Sequence, residues 1–323
     1  MNEDYLWDRS GEPDADIVHL EHVLGDLRWS KTQRDFTLTT PVRWRGRQRA
    51  WWTAAAAAVL VLGVGTALLV RRTQTIGPVT SWQLSLAGGK PSAVRAGQVI
   101  ETAGIPHATM GSDLIGEVDI EPDSRLRLLA ARTDEQRLAL DHGTIHARIW
   151  APPAEFVVDT PSAKTVDLGC QYTLRVTKDG VGFLTVNMGW VAFQSHGIES
   201  FIPAGAACTT RPGHGPDTPY FLDAPEALTQ ALTQFDLTGS NKALNIALAA
   251  ARPQDGLTLW HLLQRTHAKE RSDVYDRFAS LITLPSNITR EAILRGDRNS
   301  IDAAWNALQL GDTSWWRKWK RQW

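Results

Sequence analysis

Hydrophobic positions along the chain change texture four times. Near the start, Ile17, Leu20, Leu24 and Leu27 recur at spacings of three and four, with Val23 beside them. That period predicts one amphipathic helix whose apolar stripe is too small to build a core alone. Asp14 or Asp16 can cap its start, since a short acidic side chain accepts the first free backbone N–H groups. The stripe has two readings: a helix folded against its own surroundings, or a docking face for a partner.

The second texture is an uninterrupted run of 21 uncharged residues from Ala50 to Val70. As a helix rising ~1.5 Å per residue it covers roughly 31 Å, the hydrocarbon thickness of a bilayer. Arg43, Arg45, Arg47 and Arg49 precede it, while only Arg71 and Arg72 follow closely. The positively charged flank stays inside, so residues 1–49 are expected in the cytoplasm and residues 72–323 outside. Gly63 and Ala67 give a small pair four apart that suits close contact between two spans, and hence a homodimer. A cleaved signal peptide fits poorly, because its charged lead is short, whereas 49 residues precede this run. The string "VLVLGVGTA" imitates a dinucleotide turn, but Leu68 stands where the third glycine belongs. No acidic residue follows at the ribose-binding distance either.

From about residue 80 the pattern shortens to runs of four to seven residues punctuated by Gly, Pro, Asp and Asn. "LIGEVDI" and "SRLRLLA" flank "EPD"; "QRLALD" and "TIHARIW" flank "HG". "EFVVDTP", "AKTVDLG", "QYTLRVT", "VGFLTVN" and "WVAFQS" follow, which predicts an antiparallel β domain. Past Asp223 the period returns to helical in "APEALTQALTQFD", "NKALNIALAAA", "GLTLWHLLQRT", "KERSDVYDRFASLI", "TREAILRG" and "SIDAAWNALQL". Short Gly and Pro loops between them predict a small helical array. In the last residues Trp315, Trp319 and Trp323 share one helical face, with Arg317, Lys318, Lys320 and Arg321 on others. Either the indoles complete the helical core or the segment lies on anionic lipid.

Composition alters this picture little. The formal net charge is −1, so no bulk attraction to nucleic acid is expected. Locally the balance is uneven: residues 1–26 carry eight acids and one arginine, residues 28–49 seven bases and one acid. Of 14 tryptophans, five fall in 29–82 and four in 315–323. Indoles favour membrane boundaries.

Nine histidines invite a search for a metal or catalytic centre. His142 and His146 are four apart, but the strand–turn–strand pattern of "DHGTIH" puts them on separate surfaces. His196 and His214 sit near turns with no ligand spacing. No phosphate loop or nucleophile elbow appears. No catalytic residue, metal or cofactor is therefore expected, and the chain is not expected to be an enzyme.

The stretch "EVDIEPDSRLRLL…QRLALDHGTIHARI…EFVVDTPSAKTVDLGCQYTLRV…GVGFLTVNMGWVAF" resembles the FecR domain family. Leu140, Gly143, Phe156, Val158, Thr160, Pro161, Leu168, Gly169, Tyr172, Val176 and Gly189 fall on that family's progression. The likeness covers residues 110–210. It implies a single-pass regulator of the bacterial inner membrane whose cytoplasmic part binds an extracytoplasmic-function sigma factor. Its periplasmic part would sense an exported ligand or protein. Cys170 stands where the family often has threonine, and Cys208 is the only other cysteine. An exported location favours a Cys170–Cys208 disulfide over two separate buried thiols.

The expected fold class is thus a multidomain membrane protein. It comprises a cytoplasmic helical head (1–49), one transmembrane helix (50–70), a linker (71–94), an all-β FecR-like domain (95–212) and a C-terminal α-helical array (223–323). The competing expectation is an envelope-anchored scaffold, or a glycan- or partner-binding protein, with no sigma-factor partner.

Overall fold

A computed structural model describes residues 81–311 with the exception of Gly88. All of them fall within one compact unit, Leu69–Trp323. The first strands are β1 (Trp82–Leu86), β2 (Ser92–Val94), β3 (Val99–Glu101), β4 (Ala108–Ser112), β5 (Gly116–Ile120) and β6 (Arg125–Arg132). The long β7 (Glu135–Ile149) follows, then β8 (Phe156–Asp159), β9 (Lys164–Asp167), β10 (Gln171–Val176) and β11 (Gly182–Met188). The last are β12 (Trp190–Ser195), β13 (Ile198–Pro203), β14 (Ala206–Arg211), β15 (Gly215–Pro216) and β16 (Tyr220–Phe221).

Hydrogen bonding arranges these strands in two sheets that share β7. The first runs β3-β6-β7-β8-β9-β12-β13. The second runs β2-β1-β4-β5-β7-β10-β11-β14, with β15 and β16 on β14. Residues 136–139 of β7 pair with β8 in the only parallel register among the described strands. Residues 143–148 pair with β10. A strand that changes sheets in this way forms a corner of the barrel-like sandwich.

Gly143 makes that corner with φ +106°. A Cβ there would meet Ser124 Oγ at 2.1 Å and Ser124 Cα at 2.4 Å. The "HG" pair expected as a turn between two strands is therefore a bend inside one strand. Glycine signals both, and only the long-range pairing with β6, β5 and β10 tells them apart.

Among the described residues six α-helices follow the strands: α1 (Glu226–Thr238), α2 (Asn241–Ala250), α3 (Gly256–Arg265), α4 (Ala268–Leu281), α5 (Arg290–Leu294) and α6 (Arg298–Asn306). Ser240, Thr289 and Asp297 cap α2, α5 and α6 by accepting from Ala243, Ala292 and Ser300 N–H. These caps satisfy donors that the first helical turn leaves free.

Burial shows where the helices sit. Strands of the second sheet alternate, as in β4 and β5, where every other residue is buried. In the first sheet β8, β9, β12 and β13 carry three or four consecutive buried residues. Continuous burial marks strands covered on both faces. Trp305 of α6 packs 5.2 Å from Phe201 of β13 and 6.3 Å from Trp190 of β12, between ring centroids. Buried residues of both sheets and of the helices form a single apolar cluster.

This corrects the expected fold class. The structure is a mostly β domain followed by helices that share its core, and not a β domain beside a separate array. Among the described residues no helix is long and apolar enough to cross a membrane. The apolar run 50–70, with Gly63 and Ala67, lies outside the described residues. So do the stripe Ile17, Leu20, Leu24 and Leu27 and the tryptophans at 315, 319 and 323. β1 and β2 occupy the second half of the stretch 71–94 expected as linker.

Candidate functional site: a cleft between two hairpin tips

A concavity lies at one end of the first sheet, where the β8–β9 and β12–β13 turns stand side by side. β9 and β12 pair up to Lys164 opposite Gln194. Beyond that register the two hairpins part, leaving a cleft of about 630 Å³ lined by residues 159–164 and 194–199.

Each wall is a stiff turn. Thr160 Oγ1 accepts from Ser162 N–H at 3.3 Å and Ala163 N–H at 3.0 Å, and donates to Ala163 C=O at 2.8 Å. A threonine bonding ahead to its own backbone folds this turn locally. Ser162 Oγ bonds in turn to Thr210 Oγ1 of β14. Across the cleft, His196 and Gly197 have φ +51° and +78°. A two-residue turn with both central φ values positive matches strand twist, which suits glycine at the second place.

The polar groups carry both signs. Asp159 accepts from Arg137 Nε at 2.7 Å through Oδ2, while its Oδ1 is buried without a hydrogen bond. Gln194 Nε2 donates to Glu199 Oε1 at 2.8 Å. Lys164 supplies a positive charge, and Pro161 and Ile198 supply apolar contact. Ser195 Oγ lies 2.7 Å from Nδ1 of His196. Nucleophilic catalysis needs a base oriented by a third group, and among the described residues no carboxylate orients this exposed imidazole. The arrangement suits recognition of a segment bearing hydrogen-bonding groups of both kinds.

Two buried clusters flank the strands that build the cleft. At the far end of β9, Asp167 Oδ1 accepts from Gly169 N–H at 2.7 Å, and Oδ2 accepts the Cys170 thiol proton. Burial pushes the Asp167 carboxyl up to about 7, against the lowering effect of these bonds. Burial, and then the adjacent carboxylate, push the Cys170 thiol well above its ordinary value. Tyr172 Oη is buried here without a hydrogen bond. Two strands across, on β13, Nε2 of His261 accepts from Phe201 N–H at 3.0 Å, and Nδ1–H donates to Leu257 C=O at 2.9 Å. Burial, and next the Arg265 charge, hold this imidazole down to about 3. Arg265 itself donates to Ser200 Oγ and to Thr218 Oγ1, and Asp236 accepts from Thr218.

The expected Cys170–Cys208 disulfide is not formed: both cysteines are free and buried. Cys208 stands level with Leu184 and Leu174, whereas Cys170 lies four residues before Leu174. That is roughly 13 Å along the strand and roughly 10 Å across two strand spacings. A disulfide needs Cα atoms within about 7 Å. Cys208 donates instead to the Asp217 carbonyl at 3.2 Å, and burial pushes its thiol up to about 12.

The histidines singled out in the sequence do not converge. His142 sits in the β7 bend, and His214 Nδ1 lies 3.4 Å from the Pro212 carbonyl. His146 bridges Thr173 and Glu121 at 2.9 and 2.8 Å on the outer face of the second sheet. Among the described residues no group of three or more His, Cys, Asp or Glu side chains could hold a metal ion. Of the histidines singled out in the sequence only His196 reaches the cleft. Asp167, Lys164, His261 and Arg265 each lie in an ordinary strand or helix pattern, which gives them no signal in the sequence.

No family model matches this chain, so the FecR resemblance is not matched by one, and no curated protein matches it. Two crystal structures, each of a "putative anti-sigma factor" from Parabacteroides distasonis, are similar to it at 16% and 17% identity. The matches cover 47% and 44% of this chain and 65% and 63% of theirs, each with a TM-score of 0.30. The chain thus spans less than two thirds of the length of those structures.

Proposed function

We propose that this protein is a regulator that works by recognition. In this reading the hairpin-tip cleft takes a polar segment of a ligand or partner protein, and residues 1–49 engage an extracytoplasmic-function sigma factor. The observation that carries it is the cleft itself. Two rigid turns present donors, acceptors and both charges beside Pro161 and Ile198, which is how a recognition site fixes orientation. The wall formed by β12–β13 is the same hairpin whose Phe201 N–H is held by His261. A ligand seated at its tip therefore touches the element on which the helices dock.

Supporting the sigma-factor part are the FecR-like progression through Leu140, Gly143, Thr160, Pro161 and Gly189 and the apolar stripe Ile17, Leu20, Leu24 and Leu27. The test is co-expression of the full chain with each extracytoplasmic-function sigma factor of the source genome, followed by affinity capture. One sigma factor is expected to co-purify, and Leu20→Asp with Leu24→Asp is expected to release it. If none is retained, the sigma-factor assignment is lost, and a scaffold or glycan-binding role takes its place.

A further inference from the structure

The outer face of the second sheet holds a different arrangement, on another sheet from the hairpin-tip cleft. Along β7 and just past it, His146, Arg148 and Trp150 alternate outward, so successive members stand about 7 Å apart. Trp150 is 52% exposed, yet it is held: its indole N–H donates to the Asp113 carbonyl at 2.9 Å. The ring is thus fixed on the surface with a face free. Met188 and Leu114, at 65% and 75% exposure, are further exposed apolar side chains in this part of the chain. Met188 pairs with Gln171, and Gln171 with Arg148, across the sheet.

Beside this row is a depression of about 200 Å³ between β5, β7, β10 and the end of β11. Its side chains include Glu117, Asp119, Arg148, Gln171, Thr173 and Asn187. Many are already set by neighbours. Arg148 pairs with Glu117, Asp119 Oδ1 accepts from Thr109 Oγ1 at 2.8 Å, and His146 bonds to Thr173. Groups fixed in advance lose little freedom when a ligand arrives.

The chemistry of this face narrows its ligand. An anion would meet Glu117 and Asp119, and a cation would meet Arg148. An apolar helix or acyl chain would find an almost wholly polar floor. A neutral polyhydroxylated ring meets none of these objections. Its hydroxyls donate and accept from adjacent carbons, matching the mixed donors and acceptors of Arg148, Gln171, Asn187 and the carboxylates. Its apolar C–H face suits the exposed π-face of an indole, whose edge N–H is already satisfied.

We infer that this face is a carbohydrate-binding surface, with Trp150 as the stacking platform and the depression at its row neighbour Arg148 as the seat of one sugar ring. The site is small, so recognition extends over one or two rings and affinity depends on the platform.

Titration calorimetry of the full chain with triacetylchitotriose, maltotriose and cellotriose tests this directly. Saturable binding of at least one is expected. Trp150→Ala is expected to weaken it about tenfold, the scale of one aromatic contact. Trp150→Phe should restore part of the loss, and Gln171→Ala should cost a few-fold. The thermal midpoint of each variant, measured in parallel, is expected to stay within a degree or two of the parent, because both side chains are exposed. Sigma-factor capture by Trp150→Ala is expected to match the parent, which separates this site from the cleft and the N-terminal stripe. Absence of binding to all three sugars, or unchanged binding by Trp150→Ala, would overturn the inference.

Discussion

The buried carboxyl of Asp167 at the end of β9 and the helix dock at His261 both belong to buried polar clusters, yet they respond to pH with opposite signs. Asp167 is raised from its ordinary 3.8 to about 7 by burial. Its neutral form is the one the fold prefers. The stability it contributes is fully present below about pH 4 and is lost as pH rises through 7. His261 is lowered from 6.5 to about 3 by burial and by Arg265. Its contribution is present above about pH 6.5 and is lost as pH falls toward 3. Each shift of about three units is worth roughly 4 kcal/mol at most. Between pH 4 and 6.5 the two slopes oppose, so each conceals the other in the intact chain. Burial alone thus sets no preferred pH; the charge type of the buried group does.

Removing the dock altogether gives the largest expected effect. Trp305 is fully buried, packs 4.8 Å from Trp260, and donates its indole N–H to the Gly311 carbonyl at 2.8 Å. Trp305→Ala should cost about 3–5 kcal/mol in urea unfolding. Asp167→Asn comes next. It keeps an acceptor for Gly169 N–H but cannot ionise, so stability at pH 8 should rise by up to roughly 4 kcal/mol. The variant should then lose stability steadily as pH falls from 6.5, because the His261 slope is unmasked. His261→Leu should show the mirror image. It leaves Phe201 N–H without its acceptor, costing about 1–3 kcal/mol at pH 8, but its stability should climb as pH falls from 7 to 4. If the single variants both kept the parent's pH profile, the opposition between Asp167 and His261 would be refuted. The smallest effect concerns the thiols. With Cys170 and Cys208 both free, reductant should leave the unfolding midpoint unchanged, and two thiols should titrate in denaturant.

Much of the strand pattern was legible because one-sided strands alternate. β5, β10 and β11 carry their buried residues at every second position through most of their length, and the six helices fall on the segments with helical period. What was not legible depends on contacts distant in sequence. "QRLALDHGTIHARI" contains a glycine that any local rule reads as a turn, and only Ser124 packed against Gly143 makes it a bend. Asp167 looks like an outward residue of "KTVDLG", since nothing nearby says that β12 and residue 154 close over it. His261 sits inside an amphipathic helix, and its role as acceptor for the edge of β13 depends on a residue 60 positions away. The paired cysteines were persuasive for the same reason, because two strands of separation leave no mark in the chain. The cleft is half legible: its turn residues read as punctuation, but their meeting follows from the β9–β12 register.

The sandwich and the helices form one body, joined where His261 holds the edge of β13. Native-state amide hydrogen exchange tests this most directly. The Phe201 amide and the amides of α3 are expected to open with the same free energy as those of β7 and β10, in one cooperative unit. If α1–α6 instead opened together at a lower free energy, with Phe201 exchanging alongside them while β7 stayed protected, the single-body account would be contradicted.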